Sequence, residues 1–222
     1  MQNDEHPTRY SRPYCVFEKS SNTQKINVII DSTGLKLFSE EEWLKLKHKV
    51  NQKKAWRKLH LAIDEKTQQI VASELTSLET SDDAMVEPIL KSIDHKISGV
   101  IADRAYDSNR VYNDIIKATN NEKVKIIIPG RTNASKICFY LTSLSKRRTN
   151  HKRWFELGSY RWQKKTGYNK RSLIETTMMR YKKLIGEKLF SRKFINQKTE
   201  STLGSLVLNR MLDLGKPVSV RA

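Results

Sequence analysis

Ile26-Asn27-Val28-Ile29-Ile30-Asp31 decides the fold. The apolar run is β-branched, too short for a helix and bounded by the turn-like Ser32-Thr33-Gly34, which predicts a buried strand with a carboxylate at its C-terminal end. Ile97-Ser98-Gly99-Val100-Ile101-Ala102 repeats the pattern and also ends on an acid, Asp103. Between them, Trp56 to Ile63 alternates apolar and polar residues (Trp56, Lys58, Leu59, His60, Leu61). The turn Asp64-Glu65-Lys66-Thr67 then leads to Gln69-Ile70-Val71-Ala72, so this stretch predicts an antiparallel hairpin. Asp82 and Asp83 open a helix with Met85, Val86, Ile89, Leu90 and Ile93 on one face. A helix over about 108–120 and a strand at Lys125-Ile126-Ile127-Ile128, stopped by Pro129-Gly130, follow. Residues 131–165 read as basic and irregular, and helical patterns span about 168–187 and 197–214. The order β-β-β-α-β-α-β-α makes an α/β fold, a mixed sheet flanked by helices in one domain over 25–215. Residues 1–24 read as a loose leader and 40–54 as an exposed, Glu- and Lys-rich arm.

Composition narrows the function. The chain has 222 residues, of which 37% are apolar and 30% charged, which suits a globular domain. No apolar run approaches the ~18 residues of a membrane span, and the polar N-terminus lacks the apolar core of a signal peptide. Cys15 and Cys138 are the only cysteines and form no Cys-x-x-Cys pair, so neither a disulfide scaffold nor a zinc knuckle is expected, and a reducing cytosol is. Lys and Arg total 42 against 24 Asp and Glu, a net charge of +18 that favours a polyanionic partner. From Lys146 to Lys198 there are 17 basic residues and three acidic ones, interleaved with Trp154, Phe155, Tyr160, Trp162, Tyr168 and Tyr181. A membrane-surface segment would concentrate its charge on one amphipathic helix. Here the charge spans several elements, which points to DNA or RNA.

Two strands that each end on an acid put Asp31 and Asp103 where α/β sheets carry their sites, beyond the strand ends. Neighbouring carboxylates repel unless a cation lies between them, and hard oxygen donors select Mg²⁺ or Mn²⁺ over zinc. Taken singly, an Asp after a strand is more often a turn former or a helix cap. At 100° per residue, Tyr168, Arg171, Glu175 and Lys182 share one sector of the next helix, with Leu173, Ile174, Thr177, Tyr181 and Leu184 opposite. Glu175 stands isolated among cations. By residue type alone it reads as a surface acid offsetting its neighbours.

Three blocks resemble bacterial insertion-sequence transposases of the DDE type, in the insertion-sequence-five branch, over about residues 25–212. They are Asp31-Ser32-Thr33-Gly34-Leu35-Lys36 with Trp56-Arg57-Lys58-Leu59-His60-Leu61, then Ala102-Asp103-Arg104-Ala105-Tyr106-Asp107-Ser108, then Tyr-x₂-Arg-x₃-Glu-x₆-Lys at Tyr168, Arg171, Glu175 and Lys182. The resemblance implies a ribonuclease-H-like core in which Asp31, Asp103 and Glu175 are catalytic and hold two Mg²⁺ (or Mn²⁺) ions. Two such ions ~3.5–4 Å apart activate the attacking oxygen and stabilise the leaving one in displacement at phosphorus. It further implies that water cuts a strand at the transposon end and that the freed 3′-hydroxyl attacks target DNA without ATP.

The same resemblance gives Arg171 and Lys182 phosphate contacts. Tyr168 either bonds beside the scissile region or packs on the sheet. His60 is expected to support rather than ligate, Asp107 to cap the helix near Ser108, and Trp162 either to stack on a flipped base or to pack in the core. The partners implied are transposon ends and target DNA, bound by a homo-oligomer in the bacterial cytoplasm at the nucleoid. Position 104 is Arg where the second block commonly has a small residue. Relatives carry a helical N-terminal region that recognises the element's ends, and none is legible before Ile26. The expectation is therefore a transposase, either a truncated reading frame, the product of a frameshifted gene or a catalytic half with a separate partner, with a catalytically inactive, DNA-binding remnant as the alternative.

Overall fold

The computed structural model describes residues 25–38, 56–131 and 145–215. The expected leader, the arm at 40–54, both cysteines and residues 132–144 lie outside the described residues. At the centre is β1 (Ile26–Leu37), in a sheet ordered β3-β2-β1-β4-β5. The hairpin expected from alternation is β2 (Trp56–Asp64) and β3 (Ile70–Ser77), antiparallel to each other and to β1. The second buried strand, β4 (Ile97–Ile101), and the short β5 (Lys125–Ile127) add parallel to β1 on its other side. The result is a mixed α/β sheet, as the element order predicts.

Parallel strands need crossovers, which are the helices α1 (Val86–Lys91) and α2 (Asn109–Thr119). They cover one face of the sheet, where Val28 and Ile30 of β1 join Ile89, Val100, Val111 and Ile115. Side chains alternate along a strand, so Ile29 points the other way, into a second core with Trp162, Ile174, Met178 and Tyr181. That face is covered by α3 (Ser145–Thr166), α4 (Ser172–Arg180) and α5 (Phe194–Asp213). Burying each large aliphatic side chain contributes roughly 1.5–3 kcal/mol, so β1 is held from both sides.

Three local expectations are corrected. First, β1 does not end at Asp31. It continues through Ser32-Thr33-Gly34, paired with β2 as far as Lys36↔Trp56. Residue types that favour turns in isolation become strand because β2 satisfies their backbone groups, and the Trp56 ring lies where Gly34 has no side chain.

Second, residues 145–165 are helical rather than irregular. The helix was hidden because Gly158, at φ 71°, breaks it into two pieces whose apolar positions share no single period.

Third, the expected helix over 168–187 is composite. A 3₁₀ turn (Tyr168–Arg171) leads into α4, and α4 into a π turn (Tyr181–Ile185). Gly204 of α5 lies against this π turn, so close that a Cβ there would stand 2.7 Å from the Tyr181 hydroxyl. After the π turn, β6 (Lys188–Leu189) returns to pair with the far end of β1.

Candidate active site

The parallel edge of β1 is interrupted. Its pairing with β4 ends at Ile29↔Ile101, and pairing with β6 resumes only at Lys36↔Lys188. Asp31 sits just past the first break, and Asp103 lies the same two residues beyond Ile101. Adjacent strands run about 4.8 Å apart, so the register carries both acids to the same end of the sheet, near enough for Asp103 to act on Asp31. By alternation from Ile29, Asp31 faces the side covered by α3, α4 and α5.

The third acid arrives on α4. Arg171, at the end of the 3₁₀ turn, reaches Asp31 Oδ2 from one guanidinium nitrogen at 3.4 Å and donates from the other to Glu175 Oε1 one helical turn on. Tyr168 places its ring 5.9 Å from the same guanidinium and 5.5 Å from Trp162. Thus Asp31, Arg171, Glu175 and Tyr168 are brought together, and Asp103 adds its charge to Asp31.

Lys182 is not part of this group. It lies in the π turn, and its charge acts on Glu187 instead. It follows Glu175 by about two helical turns, so it stands farther along the same element.

The electrostatics record the crowding of acids. Burial raises the Asp31 carboxyl, the Ser32 amide bonded to it at 2.8 Å pulls it back, the charge of Asp103 raises it again, Arg171 opposes, and Glu175 adds to the rise. The outcome is about 6, well above an ordinary Asp. Asp103 Oδ1 accepts the Ala105 amide at 2.7 Å, which caps the 3₁₀ turn Arg104–Tyr106 and fixes the loop. Asp31 is 18% exposed and Glu175 53% exposed, so the site is open on the α4 side.

Three carboxylates with hard oxygen donors and an excess of negative charge fit a divalent cation in chemistry. They are not pre-spaced for one. Among the described residues no three His, Cys, Asp or Glu side chains stand close enough to hold a metal, and Arg171 fills the place between Asp31 and Glu175.

Residues flagged for lesser roles fall as follows. Trp162 is fully buried, so of its two readings the structure supports core packing. His60 is buried in β2, with Nε2 2.9 Å from Thr76 Oγ1 and Nδ1 3.8 Å from Asp82. Burial depresses it to about 4, against the charge of Asp82. It supports the strand that pairs with β1.

Asp107 is not the helix cap, because Ser108 accepts the Val111 amide in that role. The Asp107 carboxylate is instead fully buried and accepts from His151 Nε2 at 2.9 Å, Arg147 Nε at 2.8 Å and the Arg131 amide at 3.1 Å. Burial raises it, but these donors overcome that and hold it at about 2. Arg104 lays its guanidinium 5.8 Å from the Trp154 ring, tying the same loop to α3.

Two supports were not foreseen. Asp82 accepts Ser32 Oγ at 2.9 Å and lies 3.2 Å from Lys58 Nζ, bracing the backbone next to Asp31 from the opposite face. His151 and Arg147 tie α3 to the loop that carries Asp103. Asp82 reads in sequence as a helix opener, and nothing around His151 marks it, because both roles depend on long-range partners.

Among the described residues no helix is long and apolar enough to cross a membrane. A family model described as a transposase DDE domain matches residues 22–210, most of the chain.

Proposed function

We propose, from the premise that this chain belongs to the transposase DDE domain family, that Asp31, Asp103 and Glu175 together hold two Mg²⁺ or Mn²⁺ ions and cut and join DNA strands. The ribonuclease-H-like mixed sheet and the transposase function follow from that membership. What supports the proposal above all is that Asp31, at the break in the β1–β4 pairing, is bridged through Arg171 to Glu175 and feels the charge of Asp103, so acids from three distant parts of the chain meet at one strand end. Bound there, the cations would activate the attacking oxygen and stabilise the leaving one at a phosphodiester.

The chain's own residues have separable tasks. Asp31 supplies oxygens from the rigid sheet, where β1 is buried on both faces, and Asp103 from the capped turn just past β4. Glu175 supplies the third from a helix that is exposed at this point. The Asp82–Ser32 bond and the Ser32 amide fix the rotamer and backbone of Asp31. Arg171, and Lys182 farther along, would meet phosphate oxygens and set the register of the DNA rather than read its sequence. Tyr168, half-buried beside Arg171, limits where that guanidinium can point. A homo-oligomer on DNA, in the cytoplasm at the nucleoid, belongs to this reading. The exposed apolar residues Leu203, Val207, Met211 and Leu214 along and just past α5 are available to such contacts.

A strand-transfer assay tests the reaction class. Purified protein, a DNA bearing the element's ends and Mn²⁺ are expected to give molecules in which a 3′-end is joined to new DNA. Cutting without joining would make the chain a nuclease, and binding with neither would make it an inactive remnant.

A further inference from the structure

Arg171 does something in this structure that a phosphate-binding residue has no need to do. Its guanidinium, 24% exposed, spans Asp31 on β1 and Glu175 on α4, residues from different elements. Both carboxylates belong to the site proposed above, so the arginine sits between the oxygens that would face a cation. Burial works against its charge, but its hydrogen bond to Glu175 and the charges of Glu175 and Asp31 outweigh that and hold it firmly protonated. It is therefore a permanent +1 lodged among acids that repel one another.

We infer that Arg171 is an internal counter-cation, which holds Asp31 and Glu175 in place before a divalent ion arrives and must leave them for it to bind. A guanidinium cannot lose its proton to make way, so it has to move as a charge. The tilted Tyr168 ring, 5.9 Å away, offers a resting place that keeps it close. Freed in this way, the same guanidinium becomes available to a phosphate, so metal loading and DNA backbone contact are coupled through one side chain. By linkage the coupling runs both ways: an anion that draws Arg171 off the acids tightens metal binding as well. Arg171 thus sets the metal threshold of the site, beyond the phosphate contact already assigned to it.

The inference rests on the metal reading of the three acids, and one set of titrations separates the two. Calorimetric titration of the full chain with Mn²⁺, without DNA, compares the wild type with Arg171→Gln, Arg171→Lys and Asp31→Asn. The expected result is that Arg171→Gln binds Mn²⁺ roughly three- to tenfold more tightly, the scale of the ion pairs it no longer has to break. Arg171→Lys, which keeps one charge but not the two-pronged reach, falls between. In EDTA, Arg171→Gln melts below the wild type because its acids have lost their counter-charge. The Nε–Hε resonance of Arg171 in the wild type shifts on addition of diamagnetic Mg²⁺. If both Arg171 variants bind Mn²⁺ no more tightly than the wild type while Asp31→Asn loses binding, Arg171 does not compete and the inference is overturned, with the acid site intact. An unmoved Arg171 resonance at saturating Mg²⁺ also overturns it. If Asp31→Asn binds Mn²⁺ like the wild type, the acid site itself fails and the inference falls with it.

Discussion

Arg171 stands 3.4 Å from Asp31, although 140 residues separate them in the chain. That contact joins the first strand of the sheet to the helix bearing Glu175, where burial first, and Asp103 and Glu175 after it, act against the charge of Asp31. Asp31 remains raised to about 6 even with a guanidinium beside it.

The first prediction concerns stability without metal. An acid whose folded pKa exceeds its unfolded value of 3.8 contributes stability at low pH and loses it as pH rises through about 6. At pH 7 the ionised Asp31 therefore costs on the order of 3 kcal/mol. Asp31→Asn should melt at a higher temperature than the wild type in EDTA at pH 7.5, with the gap closing below pH 4. Adding Mn²⁺ should raise the wild type alone.

His60 acts in the opposite sense. Its folded pKa of about 4 lies below the ordinary 6.5, so its contribution is present above pH 6.5 and is lost as pH falls toward 4. The two residues oppose each other between pH 4 and 6, which should flatten the wild-type stability curve. His60→Gln, able to keep the bond to Thr76, should remove the loss on the acid side and leave stability falling with rising pH. Urea unfolding at half-unit pH steps reads both slopes.

Asp107 tests the tie between the Asp103 loop and α3. Its carboxylate is fully buried against Arg147 and His151, and removing one partner of a buried pair leaves the others uncompensated, at about 3–5 kcal/mol. Asp107→Ala should lower stability by that amount in denaturant titration. His151→Gln, which can still donate to the carboxylate, should cost much less.

DNA affinity should depend on salt through α3. Lys164 and Lys165 are exposed near its end, shortly before Tyr168. Each phosphate contact contributes about −0.9 to the slope of log K against log salt. The double variant Lys164→Glu, Lys165→Glu should reduce that slope by up to about 2, measured by anisotropy on a generic duplex. Its thermal stability should stay near that of the wild type, because these side chains face solvent.

How much of this was legible in the sequence depends on the range of the interaction. Buried strands such as Ile26–Ile30 and Ile97–Ile101 declare themselves through local composition, because a core residue must be apolar whatever its partner. The continuation of β1 through Ser32-Thr33-Gly34 does not, since only the pairing with β2 makes those residues strand. α3 escaped notice because Gly158 divides its periodicity. For the site, Asp31 and Asp103 could be suspected from their positions after apolar runs, whereas Glu175 came from resemblance and not from its surroundings. Tyr168, Arg171, Glu175 and Lys182 share one sector only at a uniform 3.6 residues per turn. The 3₁₀ turn before α4 and the π turn after it depart from that period, which a local pattern does not announce. The Asp107–His151–Arg147 cluster had no local signal, for it depends on contacts 40 and 44 residues apart.

The account depends most on the joint action of the three acids, and metal-dependent DNA nicking tests it most directly. Wild type, Asp31→Asn, Asp103→Asn and Glu175→Gln are compared at saturating Mn²⁺ on one end-bearing DNA, each first shown to be folded and to bind that DNA. Loss of any one acid is predicted to slow nicking by at least about 10³-fold, or 4 kcal/mol of transition-state stabilisation. A variant that nicks at the wild-type rate would contradict the claim that its acid belongs to the site.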